Sequence, residues 1–202
     1  MSSIMHNQTK IAGVILAGGR ARRMNNQDKG LVNFNGRPMI SYALAALVPV
    51  VDEVFINANR NLELYQQFGH RVITDQTDNF DGPLAGVLAA MSYTEAERLV
   101  VIPCDSPLIK AEHVQKMIIT LEESDADVTV GFDGTRLHPV FFAVKTNLKG
   151  SLHDYLAIGQ GKVMAWLAEQ ALVQVDFSNE PELFSNINTL DELVALESCL
   201  WS

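Results

Sequence analysis

Ile11-Ala-Gly-Val-Ile-Leu-Ala17, followed at once by Gly18-Gly19-Arg20-Ala21-Arg22-Arg23-Met24-Asn25-Asn26-Gln27-Asp28-Lys29-Gly30, decides the fold and much of the chemistry. The seven apolar residues, bounded by a glycine pair, read as a strand buried on both faces. Glycines at its end let the backbone approach a ligand closely. Successive free N–H groups in such a turn form a concavity for an anion. Arginine then grips phosphate oxygens bidentately, and lysine acts as a point charge. From Lys10 to Arg37 there are six Lys or Arg and one Asp, a local charge of +5 on a chain of −9, which leaves −14 for the remainder. A compact basic loop on an acidic protein suits one polyanionic ligand; nucleic acid would call for a broad basic face. Neither G-x-x-x-x-G-K-[ST] nor G-x-G-x-x-G in a strand-to-helix turn is present, so the loop is not one of the two best-known phosphate loops.

The chain has 202 residues, 48% hydrophobic and 19% charged, the proportions of a soluble globular protein with a sizeable core. No run of 18 apolar residues is present and no secretory signal is visible in residues 1–10, so neither a membrane span nor export is expected. Cys104 and Cys199 form no disulfide framework or zinc spacing, and the five histidines are scattered. The expected location is the reducing cytoplasm.

Strand and helix periods alternate along the chain. Pro38–Leu47 is expected to be a helix with Pro38 near its first position, Glu53–Asn57 a strand, Leu62–Phe68 a helix ending at Gly69, and Arg71–Thr74 a strand. Pro83–Tyr93 then reads as a helix, Arg98–Ile102 as a buried strand, and Ala111–Glu123 as an amphipathic helix. Val128–Val130 and Val140–Val144 read as strands that could pair. Leu148–Tyr155 and Val163–Gln170 read as helices, and Leu172–Phe177 as a strand. The closing helix, Thr189–Leu200, starts with a capping box, Thr189 to Glu192. Such alternation predicts one α/β domain over residues 1–202, a Rossmann-like doubly wound, mostly parallel sheet with helices on both faces. Its ligand belongs beyond the carboxyl ends of the strands.

The candidate motifs fall at those ends. Leu99-Val-Val-Ile-Pro-Cys104-Asp105-Ser-Pro107 closes a buried strand on a carboxylate. Beside a phosphate loop, such a group suits Mg²⁺, which takes one or two carboxylates and fills its shell with water and phosphate oxygens. Asp105 could also simply cap a turn. Gly82-Pro83-Leu84-Ala85-Gly86 opens a helix whose first N–H groups carry partial positive charge; tight packing on the sheet would explain Gly86 equally. Asn57 and Asp75 end two strands and could read a ribose or a base edge, or cap their loops. Asn186-Ile-Asn188 could line the far side of the pocket or turn the chain into the last helix. Asp28 could orient Lys29 or form a simple surface pair with it. His138-Pro139, ahead of a strand, reads as structural.

Leu16-Ala-Gly-Gly with Arg23-Met24 and Asp28-Lys29-Gly30, then Asn57-Ala-Asn-Arg60, Gly82-Pro-Leu-Ala-Gly86, Pro103-Cys-Asp-Ser-Pro107 and Asn186-Ile-Asn-Thr189, resembles in order and spacing the molybdenum cofactor guanylyltransferases, within the nucleotidyltransferase superfamily. The likeness runs from residue 11 to about 200. It implies a nucleotide-diphospho-sugar transferase type of fold. It also implies transfer of GMP from GTP to molybdopterin bearing molybdenum, with Mg²⁺ and release of pyrophosphate. By position it implies GTP contacts at Leu16, Ala17, Gly18, Lys29, Asn57, Asp75, Gly82 and Asp105, with Asp105 on the metal. Arg23, Lys29 and Asp105 carry the catalytic roles, and Arg23, Asn186 and Asn188 the pterin side. Implied protein partners are molybdopterin carriers or recipient molybdoenzymes. The family commonly has glycine after the Arg-Met pair. Here Asn25 and Asn26 follow it, and Asn is enriched at positive φ among non-glycine residues.

Overall fold

A computed structural model describes residues 9–17, 28–76, 82–187 and 189–200. The elements run β1 (Ile11–Leu16), β2 (Asn33–Phe34), β3 (Arg37–Pro38), α1 (Ile40–Leu47), β4 (Glu53–Asn57), α2 (Leu62–Gln66), β5 (Arg71–Ile73), α3 (Pro83–Tyr93), β6 (Arg98–Pro103) and α4 (Ala111–Glu123). Then follow β7 (Val128–Phe132), β8 (Leu137–Lys145), α5 (Lys149–Ala157), α6 (Val163–Ala168), β9 (Leu172–Asp176) and α7 (Leu190–Leu200).

Seven strands form one sheet in the order β5-β4-β1-β6-β8-β7-β9. Pairings β5–β4, β4–β1, β1–β6 and β7–β9 are parallel, whereas β8 runs antiparallel to both neighbours. The sheet is therefore mostly parallel, as expected. The chain leaves β1 through α1 towards β4, and returns from β5 through α3 to β6 on the other flank of β1. The strand order reverses between β1 and β6, the place where sheets of this kind bind ligands.

Side chains alternate across a strand, so two residues of β1 locate its two helical layers. A Cβ on Gly13 would meet Leu47 of α1 at 3.0 Å, while Leu16, of opposite parity, faces Gly86 of α3. α1 packs with α4 in the first layer and α3 with α5 in the second. Ala12 and Val14 to Leu16 are buried between them, which is why β1 is a continuous apolar run rather than an alternating one. The main core includes the four residues of β6 from Leu99 to Ile102 and Cys104 just beyond it, together with Phe141, Phe142 and Trp166. A smaller cluster of Phe34, Met39, Ile187 and Leu193 ties the β2–β3 hairpin to α7.

Three expectations are corrected. Pro38 is not at a helix start: it pairs with Asn33 in the β2–β3 hairpin, whose turn is Asn35-Gly36 with φ of 47° and 80°, the backbone of a type I′ turn. β8 begins at Leu137, so His138 and Pro139 lie within the strand. Pairing with β7 shifts register between Phe132–Leu137 and Val130–Phe142; Pro139 falls in that irregular stretch, where a missing N–H breaks no regular ladder. The predicted helices at 62–68, 148–155 and 163–170 also sit a few residues differently, as α2, α5 and α6. The expected capping box of α7 is present, with reciprocal bonds of 3.1 Å between Thr189 and Glu192.

Candidate active site

Register gathers the predicted residues along one edge. Ile73 of β5 stands opposite Asn57 of β4, Asn57 opposite Leu16 of β1, and Leu16 opposite Pro103 of β6. The ladder continues one step further: Ala17 N donates to Asn57 O at 2.9 Å and Cys104 N to Leu16 O at 3.2 Å. Asn57 and Pro103 therefore lie about 10 Å apart, two strand spacings, with Leu16 and Ala17 between them.

Asp105 follows Pro103-Cys104 and is 9% exposed. Lys29, in a tight turn at residues 28–32, donates from Nζ to Asp105 Oδ2 at 2.8 Å. The chain end joins this corner. Ile187 N donates to Asp105 O at 3.0 Å, and Ser106 Oγ donates to Asn186 Oδ1 at 2.5 Å. Lys29, Asp105 and Asn186 thus converge from segments far apart in sequence.

The other corner holds Asn57 and Asp75. Asn57 Nδ2 donates to Asp75 Oδ1 at 2.9 Å, and Asn59 Nδ2 to Asp75 Oδ2 at 2.7 Å. Asp75 N returns a bond of 3.0 Å to Asn59 Oδ1. These bonds clamp the loops after β4 and β5 and still leave lone pairs on the Asp75 carboxylate. A Cβ on Gly86 would lie 2.2 Å from Asn57 Oδ1, so Gly86 makes room for a protein carboxamide. Gly82 caps α3 at φ 119° and ψ −179° and is exposed, a backbone conformation almost confined to glycine.

Asp28 is not the surface partner of Lys29 that one sequence reading allowed. It is 8% exposed and faces the interior. Tyr65 Oη donates to its Oδ1 and Asn61 Nδ2 to its Oδ2. Tyr65, on α2, gave no signal in the sequence, because its partner lies 37 residues away. Burial first, then the nearby Cys104 and Asp28, raise the Tyr65 hydroxyl far above its ordinary range, so it stays a donor. Burial also pushes the Cys104 thiol well up, helped by the charges of Asp105 and Asp28; it is no nucleophile at neutral pH. The predicted residues Gly18, Arg23 and Asn188, together with Gly19, Asn25 and Asn26, lie outside the described residues.

Among the described residues no three His, Cys, Asp or Glu side chains cluster to hold a metal. An all-protein cage is thus not built there. A single carboxylate next to a cation still fits an ion that takes most of its ligands from phosphate and water.

A family model described as the MobA-like NTP transferase domain matches residues 13–175, the span that carries all of this geometry except Asn186 and Ile187. The chain belongs to the MobA-like NTP transferase family. It is a nucleotidyltransferase. Among similar proteins, molybdenum cofactor guanylyltransferases from Shewanella piezotolerans and Shewanella halifaxensis are 43% and 45% identical to it. The alignments cover 94% and 91% of this chain, and 93% and 92% of those proteins. The crystal structure of molybdopterin-guanine dinucleotide biosynthesis protein A from Archaeoglobus fulgidus has the same fold, with a TM-score of 0.80 at 22% identity, covering 94% of this chain and 98% of that one. The resemblance drawn from the motifs is thereby confirmed at the level of the family. No helix among the described residues is long and apolar enough to cross a membrane.

Proposed function

We propose that this nucleotidyltransferase moves GMP from GTP to molybdopterin bearing molybdenum, with Mg²⁺, as one domain working in the cytoplasm. The carrying observation is the Lys29–Asp105 pair at 2.8 Å, held where the strand order reverses. A site for a triphosphate and its metal needs a cation and a carboxylate side by side at such a place, and these two come from segments 76 residues apart. The 42–45% identical guanylyltransferases favour guanine and the pterin over other bases and acceptors.

In this reading the backbone at Leu16, Ala17 and Gly18, the first turn of α3 at Gly82, and the side chains of Asn57 and Asp75 hold GTP. Asp75 accepts from a donor edge of the base. Lys29 and Arg23 meet the phosphates, and Asp105 would hold Mg²⁺. That ion, when bound, offsets negative charge on the triphosphate and on departing pyrophosphate. Asn186 and Asn188, with Arg23, face the pterin. A terminal phosphate oxygen of the acceptor forms a bond to the α-phosphorus of GTP; the α–β bridging P–O bond breaks and its electrons leave with pyrophosphate. The nucleophile is already ionised, so no general base is required. Lys29 and the backbone donors position two anions that repel each other and stabilise charge in the transition state. The proteins that deliver the pterin or receive the product are, on this reading, molybdopterin carriers and apo-molybdoenzymes.

The test is to incubate the protein with Mg²⁺, molybdenum-loaded pterin and each of GTP, ATP, CTP and UTP, with mass spectrometry of the products. The expected result is the guanine dinucleotide and pyrophosphate from GTP alone, lost in Asp105→Ala with the fold retained. Product from CTP alone would overturn the base assignment, and full activity of Asp105→Ala would overturn the site.

A further inference from the structure

Asp28, Lys29 and Gly30 are consecutive, but only Lys29 reaches Asp105. Asp28 is turned inward, with Tyr65 on one oxygen and Asn61 on the other. Both donors come from one helical turn: Tyr65 follows Asn61 by four residues, and Tyr65 N donates to Asn61 O at 3.1 Å. Tyr65 is fully buried. Gly30 completes the arrangement from the far side. A Cβ there would lie 2.5 Å from Tyr65 Oη, so the residue after Lys29 has no side chain where the hydroxyl sits. Bonds from Leu31 N to Asp28 O, 3.0 Å, and from Val32 N to Lys29 O, 3.2 Å, close the turn. Two residues of the triplet therefore serve a single oxygen atom, and the third carries the ammonium group.

A buried carboxylate must find donors, because an unpaired one is costly. Without the Tyr65 hydroxyl, Asp28 keeps only Asn61 of these two donors, and the cation on the adjacent residue becomes its natural partner. Lys29 would then be drawn from Asp105. We infer that Tyr65 is a positioning residue: by satisfying Asp28 it leaves the Lys29 charge directed at Asp105 and at the incoming triphosphate. This inference rests on the reading of Lys29 as a phosphate-binding group. Burial keeps the hydroxyl protonated, so the arrangement does not depend on pH in the neutral range.

The experiment titrates Mg²⁺·GTP into the full chain and into Tyr65→Phe, Lys29→Met and the double variant, with thermal melts of each. Tyr65→Phe keeps the ring and removes one oxygen. The expected result is GTP affinity roughly tenfold weaker, and no further loss when Tyr65→Phe is added to Lys29→Met. Gly30→Ala, which presses on the hydroxyl from the other side, is expected to weaken GTP as well, without adding to Tyr65→Phe. A structural hydroxyl would lower the melting temperature and leave GTP affinity alone, or weaken GTP by the same factor in both Lys29 backgrounds; either result overturns the inference. A wild-type chain that binds no GTP overturns the reading of the site along with it.

Discussion

Gly86→Ala sets two effects of known size against each other. In an α-helix interior, alanine is favoured over glycine by about 1 kcal/mol, so on propensity alone the variant should be more stable. Packing says otherwise. The added Cβ would sit 2.2 Å from Asn57 Oδ1, 2.6 Å from its Cγ and 3.0 Å from Leu16 Cδ2. Asn57 is 4% exposed, so its carboxamide has to move about 1 Å or more within a packed core, at a strain of about 1–3 kcal/mol. That movement also takes Asn57 Nδ2 from Asp75 Oδ1, now 2.9 Å away, a bond to a charged acceptor worth about 1.5–3 kcal/mol. Set against the propensity gain, the net loss is about 2–5 kcal/mol. At about 2–4 °C per kcal/mol for a chain of this size, the melting temperature should fall by about 10 °C. GTP affinity should fall too, because the displaced carboxamide is one of the groups assigned to the nucleotide. Calorimetry of unfolding and a GTP titration measure both. On an Asn57→Ala background, Gly86→Ala should cost little or stabilise, a non-additivity expected of residues in contact. A melting temperature that rises by a few degrees in the single variant, with unchanged GTP binding, would refute the packing argument.

Lys29→Met removes the cation 2.8 Å from a carboxylate that is mostly buried. It should destabilise the protein by about 1–3 kcal/mol and weaken GTP by at least tenfold; equal melting temperatures and equal titrations would contradict that. Asp133 is held below the ordinary carboxylate range by the Thr135 hydroxyl first, then by His138 and the Arg136 N–H. Its contribution is therefore complete above about pH 4 and is lost as the pH falls through the lower native value. In urea melts at descending pH, Asp133→Asn should be the less stable protein near neutrality and the gap should close below about pH 4; parallel curves would count against it. Cys104, buried and with its thiol raised, should resist iodoacetamide at pH 8 in the folded protein and react on unfolding. Mass spectrometry of the Cys104 peptide is the readout, and rapid native labelling is the adverse result.

What could be read from the sequence follows the range of the forces involved. β1 and β6 announce themselves because burial on both faces demands unbroken apolar runs. Asp105 could be placed at the rim because the strand before it must end at the sheet's carboxyl edge. The β2–β3 hairpin turns at Asn35-Gly36, a pair suited to such a turn, whereas Pro38 fits a helix start as well as a strand end, so its neighbourhood alone does not decide between them. The extension of β8 through Pro139 depends on a register shift against β7, which no local pattern encodes. Tyr65 is the extreme case: the role inferred for it rests on a bond to Asp28, across a tertiary contact. Gly86 and Gly30 were visible as glycines, but the atoms that forbid a Cβ there, Asn57 Oδ1 and Tyr65 Oη, come from other elements.

Among the described residues, three carboxylates stand near the carboxyl edge of the sheet, and their partners divide them by kind. Asp75 is met by two amides and Asp28 by a hydroxyl and an amide, whereas Asp105 is met by an ammonium group. Neutral donors satisfy a carboxylate's lone pairs without cancelling its charge, and nothing is gained by exchanging them for a ligand. An ion pair is different, since each member can be handed to a partner of the same sign as the one it loses. On the proposed function, a magnesium nucleotide would bring a cation for Asp105 and phosphate oxygens for Lys29, so one ion pair would become two with no charge left buried alone. Before the nucleotide arrives, the pair keeps both groups in place in a partly dry setting where either would be costly by itself. On this view the braces at Asp28 and Asp75 fix the frame, and the Lys29–Asp105 pair is a contact built to be exchanged.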